Sequence, residues 1–300
     1  MVNVSSQLKP LIISSKVNPI IKECIKIRTK YSKNFKKCFT FDQPQVFKGE
    51  EGIQYKSLPM LMNGSKIIRE ASEKYKIEPK WLFYSSEQSE IKFKSNDIQY
   101  YQTNDNLINH ICGDIVSNDG YCAVYDNYNP FKLFENKKKR NVYIYCYKVS
   151  DPNNLGSIIR MSFGFDIKAI FLSEDCVSPF TERSIRSSRN YILNIPVFHL
   201  PLKDYKTIIY DQLKCKKSLI ADASTDRKTP IQNLNDSNEG DVCLIIGNEH
   251  HGFCDDDFKS ILLPQLENQY EGIYIPMKNN LDSISVSHAA SILMFELTKK

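Results

Sequence analysis

Three stretches of this chain hold residue types that could do chemistry together. The first is DPNNLGSIIR at 151–160, where Asn154, Gly156 and Arg160 stand in the spacing N-x-G-x-x-x-R. In the second, the apolar run Val242 to Ile246 stops at Gly247, and Asn248, Glu249, His250, His251 and Gly252 follow. The third runs from Gly272 through Ile275, Pro276 and Met277 to Ser283 and Ser285. An amide, a guanidinium, a carboxylate and hydroxyls suit the positioning of a ligand and the gripping of an anion. Gly247 would let backbone approach such a ligand closely. Every one of these residues also has a structural reading: Arg160 as a helix-surface arginine, Asn154 or Ser283 as a helix N-cap, Glu249 as the cap of a turn. His250, His251 and Cys254 have no further ligand cluster beside them, so a metal site is disfavoured. No G-x-G-x-x-G follows a strand signal, which disfavours a dinucleotide site and a nucleotide-dependent oxidoreductase.

These stretches resemble, in order and spacing, three motifs of the SpoU (TrmH-type) branch of the SPOUT RNA methyltransferases: N-x-G-x-x-x-R, G-[NS]-E-x-x-G-[LF], and I-P-M followed by S-L-N-V-S. The resemblance implies an α/β, parallel-sheet SPOUT fold closed by a C-terminal deep trefoil knot, with a smaller N-terminal α/β substrate-binding domain. It implies methyl transfer from S-adenosylmethionine to a ribose 2′-hydroxyl of ribosomal or transfer RNA, by a homodimer. Ile246, Gly247, Ile275, Pro276 and Met277 match the loops that hold the cofactor in the family, and Ser285 lies at the same pocket. Arg160 matches the arginine beside the target ribose; a guanidinium stays charged, so its role is to grip phosphate and steady the developing oxyanion. Asn154 would orient Arg160 or the cofactor carboxylate, Glu249 would fix Arg160, and Ser283 would stand near the proton to be moved. Two departures stand out. Ser285 replaces the usual asparagine, and Asn190 and Tyr191 replace small residues of R-A-S-x-G-A. They motivate an alternative, a catalytically weak RNA-binding scaffold that keeps the fold.

The elements that must position these residues follow from periodicity. Strands are expected at 142–149, 169–173, 197–200, 218–221, 242–246 and 273–276. Helices are expected from Asn154, near Thr181, over 204–213, after Cys254 and from about Ser283. Such alternation means a parallel sheet covered on both faces. Upstream, Asn18 and Pro19 mark a helix start, 38–57 looks like an insertion, and LPMLMNGSKIIREASEKYKIEPKWLFYSSE alternates strand, helix and strand with Ile67, Ile68 and Ala71 inward. Trp81, Phe83 and Tyr84 are expected in a core. The expected division is 11–110 for RNA binding, 111–140 for a connecting strand and linker, and 141–300 for the methyltransferase domain.

Composition sets the frame. The 300 residues are 41% hydrophobic and 25% charged, which is ordinary for a globular chain of about two domains. No apolar run approaches the roughly 20 residues that span a bilayer. Nine scattered cysteines without a C-x-x-C pair suggest neither a disulfide framework nor a zinc ribbon, and point to a reducing compartment. The net charge is +5, and the N-terminal segment concentrates it: Lys9, Lys16, Lys22, Lys26, Arg28, Lys30, Lys33, Lys36 and Lys37 face only Glu23. A polyanion partner or a solvated helix face would both account for it, and a targeting segment less well. The run Lys137 to Arg140 reads as a solvated stretch of linker, and residues 1–10 as disordered.

Overall fold

A computed structural model describes residues 10–31, 35–38, 58–113, 118–134, 140–222, 228–234, 240–247, 253–267, 269–279 and 283–299. The expected disorder at 1–9, the insertion from residue 39 to 57, and Lys137 to Lys139 lie outside these residues.

The first half contributes β1 (Leu11–Ile12), α1 (Pro19–Lys26), α2 (Phe35–Cys38), β2 (Leu58–Asn63), α3 (Ser65–Tyr75), β3 (Trp81–Ser85), β4 (Gln99–Thr103), α4 (Asp105–Cys112), β5 (Tyr121–Tyr128) and α5 (Pro130–Phe134). Its sheet has the order β1-β4-β3-β5-β2. The β1-β4-β3 pairs are parallel, and β5 is antiparallel to both β3 and β2. The strand read from sequence as part of a connection therefore lies inside this sheet. Asn18 caps α1 as expected, its side chain accepting from Ile20 N at 2.9 Å, with Pro19 first in the helix. Ile68 and Ala71 of α3 are buried, and so are Phe83 and Tyr84; Trp81 is half-buried. On the opposite face Ile21, Cys24 and Ile27 pack with Phe83, Ile108 and Ile111. Burial there, followed by the neighbouring Cys112, pushes the Cys24 thiol up to about 12, so it behaves as a small hydrophobe. Lys16, Lys22 and Lys26 are exposed, whereas Arg28 turns inward and donates to His110 O at 3.0 Å and Ile111 O at 2.9 Å, covering carbonyls at the end of α4.

The second half contributes β6 (Val142–Cys146), α6 (Pro152–Gly164), β7 (Ala169–Leu172), α7 (Glu182–Ser188), β8 (Val197–His199), β9 (Lys217–Ala221), β10 (Lys228–Pro230), β11 (Val242–Ile246), α8 (Leu263–Leu266), β12 (Tyr270–Tyr274) and α9 (Val286–Thr298). Its sheet has the order β10-β12-β9-β11-β6-β7-β8, and every pair is parallel. VYIYC and VCLII are buried at every position, as central strands covered on both faces must be. Strand order is not sequence order: β11 lies between β6 and β9, and β12 between β9 and β10.

Several expectations are corrected. The last strand ends at Tyr274, so Ile275 and Pro276 belong to the loop beyond it. The last helix begins at Val286, not near Ser283. The expected helix over 204–213 is a 3-10 turn at 202–204 followed by a π-helix at 207–212. Short β10 was not expected, because Lys228–Pro230 carries a proline that only an edge strand tolerates. The linker is not plain loop either: α5 buries Phe131 and Phe134 against Phe198, with ring centroids 5.0 and 5.7 Å apart. Arg140 is half-buried, with Nη1 donating to Leu297 O at 3.4 Å, which puts a cation at the C-terminal end of α9.

One apolar core runs through both sheets, from Met60, Tyr125 and Tyr128 through Phe131 to Phe171 and Phe198. Within it the Tyr128 hydroxyl accepts from Val197 N at 3.0 Å and donates to Ile195 O at 3.3 Å, stitching β5 to the edge of the second sheet. Among the described residues no helix is long and apolar enough to cross a membrane.

Candidate active site

α6 and α9 bring the first and third motifs together. Asp151, not Asn154, is the N-cap of α6: its Oδ1 accepts from Asn154 N at 2.8 Å, with Pro152 in the first turn. The Asn154 side chain accepts instead from Ser287 Oγ at 2.9 Å. Two turns on, Ser162 Oγ donates to Met294 Sδ at 3.4 Å, so the two helices run in the same direction along each other. Gly156 allows α7 to pack tightly on α6. A Cβ there would stand 2.4 Å from Ser184 O and 2.6 Å from Ser187 Cβ. Arg160 is exposed on α6 and forms no ion pair among the described residues.

Ser287 was not singled out from sequence. The signal was present, since it closes the S-x-S-x-S of the third motif. Ser285, the N-cap residue of α9, makes no side-chain bond to the helix backbone. Its Oγ is 3.0 Å from Ser287 Oγ and 2.7 Å from His288 Nδ1, so Asn154, Ser287, Ser285 and His288 form one chain of hydrogen bonds. Ser283 is exposed and does not join this chain, because the helix starts later than its spacing suggested.

The ends of β11 and β6 meet where Tyr147 N donates to Ile246 O at 2.8 Å. Ile246 is buried, and Gly247 begins the loop. What crowds the missing Cβ of Gly247 is the Phe253 ring, 2.9 Å away, so this glycine makes room for an aromatic wall of the chain itself. Phe253 stacks on Tyr147 at 6.1 Å and packs on Phe258 at 4.7 Å. Beyond β12, Ile275 is half-buried, Pro276 is exposed and Met277 is 38% exposed, forming an apolar shelf. Glu249, with His250 and His251, lies outside the described residues.

An ionic cluster holds the exit of that loop. Lys148, in the left-handed region at φ 52°, places Nζ 2.6 Å from Asp257, 3.0 Å from Asp255 and 3.8 Å from Asp175, while the Tyr147 hydroxyl donates to Asp255. Burial alone would lower the Lys148 amine, but the hydrogen bonds to Asp257 and Asp255 outweigh it and push it up. Burial would raise Asp255, but the bonds from Tyr147, Phe258 N and Lys148 hold it below its ordinary value. The cluster is thus charged around neutrality and fastens the loop after β6 to the segment after β11.

The residues that depart from the resembled pattern join the two sheets. Arg189 Nη2 is 3.3 Å from Glu70 Oε1. Buried Asn190 donates through Nδ2 to Ile67 O at 2.7 Å. Tyr191 stacks on Phe163 at 4.7 Å and meets Tyr75 edge-on at 5.8 Å. Beside them a cleft of about 480 Å³ includes Asn63, Lys66, Ile67, Asn118, Arg186 and Arg189 in its lining.

A sequence profile of the SpoU rRNA Methylase family matches residues 141–295. Among sequence relatives, the 23S rRNA (guanosine(2553)-2′-O)-methyltransferase RlmP of Bacillus subtilis (strain 168) is 28% identical over 149 residues, 50% of this chain and 54% of its own. The chain thus spans about half the length of that relative. Among solved structures, the AdoMet-bound rRNA methyltransferase from Sinorhizobium meliloti matches with a TM-score of 0.67 and 17% identity, over 95% of this chain and 96% of that one. The SpoU methyltransferase AviRb from Streptomyces viridochromogenes, in complex with AdoMet, matches with a TM-score of 0.64 and 14% identity, over 94% and 98%. At these identities the likeness is one of fold.

Proposed function

The chain belongs to the SpoU rRNA methylase family, and from that premise we propose that it transfers a methyl group from S-adenosylmethionine to a ribose 2′-hydroxyl of ribosomal or transfer RNA. The observation that carries this reading is the Asn154 to Ser287 hydrogen bond, which joins the first and third motifs at the carboxyl ends of the parallel strands, where α/β sheets bind ligands.

The residues present suit the cofactor: Gly247 follows buried Ile246 at the end of β11, and Pro276 and Met277 follow half-buried Ile275 beyond β12, loops of small and apolar residues that suit a purine read mainly through main-chain groups. When bound, the cofactor supplies an activated methyl group on a sulfonium, so the protein needs no nucleophile of its own. Its residues must aim the hydroxyl and take one proton. Arg160, exposed on α6, receives the target phosphate and steadies the oxyanion. Asn154 orients the third motif through Ser287. Ser285 takes the place of the usual asparagine as the polar group facing the hydroxyl, and His288 at 2.7 Å gives its proton a way out to solvent. Ser283 stands at the mouth.

The reading includes a division of labour that follows the two sheets: residues 11–110 with β5 hold RNA, the segment to residue 140 connects, and 141–300 carry out transfer. It includes a C-terminal trefoil knot, supported by the late entry of β11 and β12 between earlier strands. It also includes a homodimer, supported by the exposed Ile292 and Phe295 on α9, the latter paired with Phe165 at 6.1 Å. The weak-scaffold alternative loses its motive, since Ser285 keeps a bonded hydroxyl and residues 189–191 are engaged.

Arg160→Ala tests the mechanism. Single-turnover transfer to substrate RNA at saturating cofactor should fall about 100-fold or more, the usual scale for removing one well-placed charge. Cofactor affinity should stay unchanged, and Arg160→Lys should also fail, because a point charge cannot reproduce a two-pronged grip. Near wild-type transfer in Arg160→Ala would sink this role.

A further inference from the structure

We propose that Arg189, Asn190 and Tyr191 are positioning residues that lock the two sheets in one orientation, and that this lock decides which ribose of a bound RNA reaches Arg160. The inference rests on the function proposed above and adds a determinant of its selectivity.

Three consecutive residues reach α3 at three separated points. Arg189 takes Glu70, Asn190 takes the Ile67 carbonyl, and Tyr191 takes the Tyr75 ring. Contacts spread over the nine residues from Ile67 to Tyr75 of one helix fix its tilt as well as its distance. Asn190 sits at φ 66°, a backbone that glycine adopts freely, and its buried Oδ1 has no donor in reach among the described residues. A buried, half-satisfied amide is unfavourable by itself, and the bond that its other end makes to the Ile67 carbonyl offsets that cost. Burial and then the Tyr191 hydroxyl push the Tyr75 phenol up, which keeps Tyr75 neutral within the contact.

The far side of the clasp is α6. Tyr191 stacks on Phe163, three residues from Arg160, so α3 is registered against the very helix that carries the catalytic arginine. The cleft beside the clasp shares Ile67 and Arg189 with it and adds Lys66 and Arg186. At about 480 Å³ it has the volume of a site for one small ligand, here a nucleotide flanking the target, and the clasp sets its width. An RNA strand seated there is measured off against Arg160 as though by a ruler. Loosening the clasp should let neighbouring riboses compete.

The test uses the full chain with Asn190→Gly and Tyr191→Ala together, small residues compatible with the local backbone. Spin labels on keto amino acids placed at Glu73 and Lys259 report the distance between α3 and the second sheet's segment. The wild type should give one narrow distance and the variant a broadened one, with cofactor affinity unchanged. On substrate RNA, kcat/KM for the wild-type ribose should fall about 100-fold, the scale of an ångström-sized misplacement, and methyl groups should appear on adjacent riboses. The charge swap Glu70→Arg with Arg189→Glu should restore the distance that either single change disturbs, which a loss of folding would not. An equally narrow distance in the double variant, or the same single ribose methylated at the same rate, overturns the proposal. If the wild type itself methylates no RNA, the function reading fails and takes ribose selection with it, while the distance measurement still decides whether the clasp locks the sheets.

Discussion

Replacing Ser287 with alanine removes one hydroxyl and takes from Asn154 Oδ1 the donor that now reaches it at 2.9 Å. Loss of one hydrogen bond at a largely buried position should destabilise by about 1–2 kcal/mol and uncouple the first motif from the third. Urea unfolding and single-turnover transfer should both register it, and Ser287→Thr should recover most of the loss. A variant with unchanged stability and rate would mean that the bond positions nothing. Arg160 and Asn154 could be singled out in the sequence because their spacing resembles the first motif of the family. Ser287 was harder to read, since a serine entering a helix has several ordinary uses. The Lys148 cluster was not legible at all: Lys148 and Asp257 are 109 residues apart, and nothing local marks them as partners.

At the scale of elements, strands and helices were legible wherever apolar runs were long, as in β6 and β11, and least so where a boundary depended on a cap. The two glycines of α6 separate packing from propensity. At Gly156 an added Cβ would meet backbone atoms of α7 at 2.4 and 2.9 Å, whereas at Gly164 it would meet nothing within 4 Å. Gly156→Ala should therefore lower stability by about 1–3 kcal/mol through overpacking. Gly164→Ala should raise it by about 0.5–1 kcal/mol through helix propensity alone. Opposite shifts of the urea midpoint from one chemical change on one helix are the expected result. Two shifts of the same sign would contradict the close approach of α7. Asn190 and Tyr191 teach a related point: read one at a time they look like lost small residues, and only the neighbouring α3 reveals what they hold.

For the whole molecule, charge is the property most directly readable, though the structure redistributes it. Arg28 is spent on carbonyls of α4 and Lys26 on Glu23 at 3.2 Å, while Lys16 and Lys22 remain exposed. Lys16→Glu with Lys22→Glu should weaken RNA binding and reduce its logarithmic salt slope by about one per lost phosphate contact, leaving cofactor affinity alone. An unchanged slope would move the RNA to another face. The continuous core between the sheets, by contrast, was invisible to a reading that expected a connecting strand and linker at 111–140, because Phe198, against which Phe131 packs, lies far along the chain.

The order β10-β12-β9-β11-β6-β7-β8 bears on how the protein is made. Until β11 and β12 arrive, β6, β7 and β8 pair with one another, but β9 and β10 have no strand to join them to that group or to each other, and the sheet is three unjoined pieces. The chain must hold the earlier strands with two slots open, and fill them with β11 and then β12. Parallel pairing over such sequence separations is slow, because loop closure precedes any gain from contact. A ribosome stalled before residue 242 would therefore carry apolar edges waiting for their partner, with every residue of β6 through β10 already in hand. The strands whose ends carry the second and third motifs are also the ones that join the sheet, so the proposed cofactor pocket and the closed sheet form together.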